Sequence, residues 1–391
     1  MLQGELSNAL GDQPELTVPG SAAHFTKPMS RSTGSVSVLA RAFPVWNRST
    51  NPYNWCHKSD GTISGILFVK VPKCASSTGS GVAGRIADTL GRRMLGGNHT
   101  TGGCHASFDH GIASHPNQDY GSRQADRSVL WTMIRHPVSR VMSDIFFFRV
   151  SRKKRNATED LILKSIQEPH FKAFTVDYMK LKKFKTKEEE IEHAIQNYDF
   201  IAVSERMAES LVVMSIILKI PLADLVVLSS KAGDYDDGTT RHGCMKLTRA
   251  WTTPKIDAYL QGDFLQGNYD MILYQAVNAS LDLTIDALGR DRVVAGVAEY
   301  NKLAAKNKRD CEQHAIFPCP HTGPNHQNMS QQDCYFKDSG CGHSCTDKAL
   351  QAESDDEWNR LQMAWLFPMS SSMSQGKHSE PRRHMSERKQ T

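Results

Sequence analysis

No run of about 18 apolar residues occurs in the chain, so it offers no candidate membrane-spanning helix. Its first residues, MLQGELSNALGDQPEL, lack the basic start and apolar centre of a signal peptide. The GxxxxGK(S/T) spacing of a nucleoside triphosphatase is missing, and no internal repeat is present. An excess of one charge is missing too: a formal +5 over 391 residues gives no argument for a nucleic-acid partner. Zinc-ligand spacing is also absent, because CGHSC has no second close Cys or His pair beside it. His314, His321, His326 and His343 keep zinc open only as a minor alternative.

What is present is a globular composition, 39% hydrophobic and 23% charged, sufficient for a sizeable core. Nine cysteines are unevenly spread, and Cys311, Cys319, Cys334, Cys341 and Cys345 crowd one segment. N-glycosylation tripeptides begin at Asn47, Asn98, Asn156, Asn278 and Asn328. Together they favour an oxidising, lumenal compartment in which the C-terminal cysteines pair and one of the nine is left over. The missing signal peptide conflicts with that compartment. The conflict is resolved by expecting a chain whose membrane anchor is absent from this sequence. Two basic runs, RVSRKKR (Arg149 to Arg155) and KLKKFKTK (Lys180 to Lys187), suit a polyanion or a solvated surface equally well.

Residues 1–55 read as a stem or disordered lead-in, and 368–391 as a disordered tail, both poor in periodic apolar residues. Between them, 56–310 alternates apolar strands with helices, and 311–367 forms a Cys-rich C-terminal extension. Strands are expected at Thr62 to Val71, Ser128 to Ile134, Tyr198 to Glu205 and, shorter, in DLVVLSS from Asp224. Helices are expected at Gly81 to Leu95, Val138 to Val150, Met207 to Lys219 and between about Thr253 and Asn307. The expected fold is α/β, a P-loop-like three-layer sandwich around a central parallel sheet.

The first strand runs into the turn Pro72-Lys73-Cys74-Ala75-Ser76-Ser77-Thr78-Gly79 and then a helix. Free N–H groups at a helix start, hydroxyls from Ser76, Ser77 and Thr78, and the Lys73 cation suit a phosphate. An ordinary N-cap by Ser77 or Thr78 explains the same residues. The second strand ends at Ile134, placing Arg135 at its C-terminal edge, with Pro137 opening a helix that carries Ser143. Ligands of open α/β sheets collect at such strand ends, so both turns should face one crevice.

The segments KVPKCASSTG and IRHPVSRVMSDIFFFR resemble the paired donor loops of Golgi carbohydrate sulfotransferases, most closely galactose 3-O- and heparan sulfate 2-O-sulfotransferases. YDFIAVSERMAESLVVM and NYDMILYQAVNASL extend the likeness, in patches, from about Ile66 to Leu281. The resemblance implies a sulfuryl transfer from 3′-phosphoadenosine 5′-phosphosulfate (PAPS) to a hydroxyl of a glycan, galactosyl or uronyl, in the Golgi lumen, without a metal. It places Lys73, Cys74, Ala75, Ser76, Ser77, Thr78 and Gly79 around the 5′-phosphosulfate, and Arg135 and Ser143 at the 3′-phosphate. Two departures stand out: His136 where Asp is commoner, and Cys74 where Thr or Ala is.

Between the loops, GGCHASFDHGIASH supplies His105, Asp109, His110 and His115. The resembling families carry a His-x-x-Phe segment there whose histidine takes the acceptor's proton. His105-Ala-Ser-Phe108 matches it, so His105 is the expected base, with Lys73 steadying the leaving group and His110 held second. The rival readings are a P-loop kinase or NTPase and an inactive glycan-binding relative.

Overall fold

Gly65–Val69, a five-residue apolar run, forms strand β1, and the turn after it leads into helix α1 over Ser76–Leu95. These and the following elements belong to a computed structural model that describes residues 39–46, 51–96, 103–108, 110–114, 119–229, 235–236, 244–319, 333–336 and 338–366. Strand β2 is only Ala106–Ser107, and β3 spans Ser128–Ile134. Helix α2 (Pro137–Asp144) continues without a break into a π-helical segment, Ile145–Ser151. Helices α3 (Glu159–Ile166), α4 (Phe174–Met179) and α5 (Lys187–Asn197) precede strand β4, Phe200–Val203. Thr186 and Glu189 close a capping box on α5, which fixes where that charged helix begins. Helix α6 (Met207–Leu218), a small β5–β6 hairpin (Tyr235–Asp236, Met245–Lys246), and α7 (Pro254–Tyr259) follow. The chain then runs through α8 (Tyr269–Leu288), α9 (Arg290–Cys311) and α10 (His343–Leu366).

The main sheet is parallel, in the order β2-β1-β3-β4. Every residue of β1, β3 and β4 is buried, as expected for strands covered on both faces by helices. The chain leaves β1 towards β2 on one side, and leaves β3 towards β4 on the other. The ends of β1 and β3 therefore flank the point where the winding reverses, where open α/β sheets keep their ligand crevice. That places the turns after β1 and β3 side by side.

Several expected elements differ. Helix α1 starts at Ser76 instead of Gly81, so the Ser-Ser-Thr run is its first turn. The segment from Asp224 is no strand as far as it is described: Leu222–Leu225 is a 3-10 turn, and no strand among the described residues pairs with those after it. The backbone N–H of Leu222 goes to Glu357, and Asp224 pairs with Arg93 and Ser354, so this apolar stretch is buried under α10 instead. The fourth strand comes from the CHASF segment, whose two paired residues are too few to show a period.

Cysteine pairs are Cys56–Cys104, Cys244–Cys319, Cys311–Cys345 and Cys334–Cys341, and Cys74 is left free. The expectation of paired C-terminal cysteines with one left over is met. The described part of the 311–367 segment packs on the sheet domain: Leu350 and Trp358 of α10 lie in the same core as β1 and β3. Arg85 of α1 pairs with Asp347 of α10. Asp109, His115, His321, His326, most of 1–55 and all of 368–391 lie outside the described residues. No helix among those described is long and apolar enough to cross a membrane.

Candidate functional site

The turn after β1 is built on two residues in the left-handed region, Lys73 (φ 63°) and Ala75 (φ 53°). Such conformations cost a side chain free energy and collect where a backbone must point its N–H groups at a ligand. Ala75 is the N-cap of α1, and a methyl group cannot cap; no acidic residue stands in the first turn. The expected alternative, a helix capped by Ser77 or Thr78, does not hold, because both lie inside the helix. The positive end of a 20-residue helix is thus left for an external acceptor.

Around this turn the hydroxyls divide. Ser76 is buried, and its carbonyl accepts from the Ser80 hydroxyl at 2.6 Å, which tightens the first turn. Ser77 and Thr78 are half-buried. Gly79 is required sterically: a Cβ there would sit 2.3 Å from the ring of Phe68, which packs on Trp131 beneath the turn. Cys74 is fully buried, and burial pushes its thiol up to about 12, so only its backbone can meet a ligand.

The neighbouring strand end supplies the second half. Arg135 follows β3 directly and its Nη1 donates to the carbonyl of Lys73 at 3.4 Å, joining the two turns. Its neighbour His136 stands at the N-cap position of α2 without a side-chain capping bond, donates its backbone N–H to Glu205 at 2.9 Å, and is held below the usual histidine range by burial. Pro137 takes the first helical position, where its missing N–H costs nothing. Ser143 is half-buried, near the end of α2.

The π-helical segment has a local purpose. It brings the Phe147 ring under Lys73, whose Nζ lies 3.8 Å from the ring centroid. Asp144 is buried nearby; burial raises its carboxyl, with Arg140 and then Lys73 opposing. The exposed residues Arg152 to Arg155 extend directly from this segment. The second basic run is different: Lys180 and Lys187 pair with Asp177, and Lys187 also with Glu190.

The structure does not bring His105 to this crevice. His105 lies just before β2, where its carbonyl accepts from Ile66 N–H and its own N–H goes to His57. It therefore stands level with the start of β1, about 15 Å from the turn at the strand's far end at ~3.3 Å per residue. Burial holds its imidazole below the usual value, and the nearby His57 adds to this. His110 is placed otherwise. Its Nδ1 lies 3.1 Å from the carbonyl of Lys70, the first residue beyond β1 and three before Lys73. Parallel pairing of β1 and β2 thus carries the chain from His105 at one edge of the sheet to His110 at the ligand edge.

A segment that the motifs did not bring into the site also reaches it. Asp338 accepts from the Ser77 hydroxyl at 3.4 Å, and the ring of Phe336 lies 5.4 Å from Lys70 Nζ and packs on Phe108. No motif signalled this contact, because it joins residues 261 positions apart. A cleft of about 560 Å³ lies elsewhere, between α1 and α10; its arginines Arg85, Arg92 and Arg93 are already paired with aspartates. No cluster that could hold a metal ion occurs among the described residues.

Comparison with known proteins finds no relative: no family model, no curated protein and no solved structure matches the chain.

Proposed function

We propose that the protein is a sulfotransferase moving a sulfuryl group from PAPS to a hydroxyl of a glycan. The observation that carries this reading is the Arg135–Lys73 link, which makes one crevice of two anion-seeking turns at the reversal point of the sheet. Two separated turns suit a nucleotide with phosphate at two positions better than a linear triphosphate. An uncapped helix start with left-handed Lys73 and Ala75 is chemically suited to the 5′ end, and Arg135 with Ser143 to the 3′-phosphate.

In this account PAPS supplies an activated sulfuryl group, whose bond to the 5′-phosphate breaks as the acceptor oxygen bonds to sulfur. The chain's own part is positioning and charge. The first-turn N–H groups and Lys73 offset the charge gathering on the departing phosphate. His110 takes the acceptor's proton, because it stands at the ligand edge of the sheet. His105, the match to the family segment, keeps a structural place at the opposite edge. Arg152 to Arg155 draw an anionic sugar chain towards the crevice by long-range attraction.

A kinase would need an acidic magnesium ligand at a strand end. Glu205, just past β4, is engaged with the backbone N–H of His136 instead. The four disulfides favour an oxidising compartment, in keeping with a Golgi-lumen assignment. The test is transfer of labelled sulfate from PAPS to galactosyl and uronyl acceptors. Transfer that Arg135→Ala abolishes supports the reading. Label that enters no acceptor with well-folded protein contradicts it.

A further inference from the structure

The loop closed by Cys334–Cys341 reaches the phosphate turn from the far end of the chain. Its seat is close: a Cβ on Gly81 of α1 would lie 2.7 Å from the backbone nitrogen of Gly340, so the two backbones meet where only glycines fit. Gly84, one turn on, is covered by Tyr335, which in turn stacks on His343 at 4.4 Å. A second disulfide, Cys311–Cys345, ties the start of α10 to the end of α9 just behind. The described residues of the loop therefore lie against the first turns of α1 by close backbone contact, and the two crosslinks brace the loop itself and the start of α10.

What it presents there is a carboxylate. Asp338 is 9% exposed and accepts a hydrogen bond from the Ser77 hydroxyl. A hydroxyl has a single proton to donate. While Asp338 holds it, Ser77 can offer a phosphate only lone pairs, and the carboxylate itself repels a second anion. At 3.4 Å the bond is long, which is the geometry of a partner that can be displaced.

We propose that Asp338 is a competing anion built into the phosphate turn, a specificity-determining residue that yields Ser77 only to a ligand able to displace it. The ligand class is a nucleotide or other compound bearing a phosphate or phosphosulfate end, and this rests on the donor-site reading above. The Cys334–Cys341 crosslink sets the strength of the competition by fixing where the carboxylate sits.

The experiment is titration of adenosine 3′,5′-bisphosphate and of ATP into wild type, Arg135→Ala, Asp338→Asn and the double variant Cys334→Ser/Cys341→Ser, with stopped-flow association and dissociation rates. A site held closed about nine-tenths of the time weakens apparent affinity roughly tenfold. Asp338→Asn is thus expected to bind about tenfold tighter, through a faster association with dissociation unchanged. The disulfide variant moves the same way if it folds; Asp338→Asn keeps the crosslink and serves alone if it does not. Wild-type binding that needs Arg135, with Asp338→Asn no tighter at unchanged melting temperature, overturns the competition and leaves the sulfotransferase reading in place. Preference for ATP over the bisphosphate, with ATP tighter in Asp338→Asn, overturns that reading and keeps the competition. Absence of binding by wild type, Asp338→Asn and the disulfide variant alike overturns both.

Discussion

Arg135 donates from Nη1 to the carbonyl of Lys73, 62 residues before it, at 3.4 Å. The bond joins the turn after β1 to the turn after β3 across the reversal point of the sheet. It uses one of the five guanidinium donors and leaves the planar fork available to a phosphate. The same contact braces the left-handed Lys73, whose amino group rests on Phe147.

On the proposed reading, His105 and His110 separate by function. His110→Ala should lower turnover by about 10²–10⁴-fold, the usual range for a lost general base, with bisphosphate affinity retained. His105→Ala should leave turnover within a few-fold and act on stability. Steady-state kinetics beside nucleotide titration on both variants decide it. The reverse ranking would return the base to His105.

Gly79→Ala should be costly. The added methyl meets the buried Phe68 ring, which is pinned by Trp131, so the helix start has to shift. Overpacking of this kind costs about 1–3 kcal/mol. The melting temperature should fall, and nucleotide affinity with it. An unchanged melting temperature would show that Phe68 can give way.

Cys74 should be silent. Its thiol is fully buried and its pKa is pushed up to about 12, so little thiolate forms at neutral pH. A thiol reagent should label no cysteine in native protein, and one per chain after unfolding without reductant. Prompt native labelling would contradict the burial. Oxidative control through the Cys74 thiol is not expected from this geometry.

Acid should weaken the fold through two buried histidines. His105 and His136 are both held below 6.5 by burial, so the unfolded chain binds protons that the native one refuses. Stability is unaffected above pH 6.5 and is lost as pH falls from there through the depressed native values. Each group contributes at most ~1.4 kcal/mol per pH unit. Denaturant melts between pH 7.5 and 5.5 should show the decline, and His105→Gln should flatten it. A slope equal in the variant would assign the effect to other groups.

The turns after β1 and β3 were legible because each is a local event, an apolar strand followed by a turn and a helix. Ser128–Ile134 was placed to the residue for that reason. The π-helical segment was not, since its period differs from that of an α-helix by less than seven residues can reveal. Choosing between His105 and His110 depended on the register of a two-residue strand against β1, a property of pairing that no single segment carries. Asp338 at Ser77 is a contact of the same kind, made through tertiary packing across 261 positions. DLVVLSS failed in the opposite sense: its apolar residues are buried, but under a helix.

The most direct measurement is calorimetric titration of adenosine 3′,5′-bisphosphate, AMP and ATP into wild type and Arg135→Ala. The account predicts that the bisphosphate binds well above AMP and ATP, and that Arg135→Ala removes this advantage while leaving the fold intact. Equal affinity for AMP, preference for ATP, or an Arg135→Ala variant that binds like wild type would contradict it.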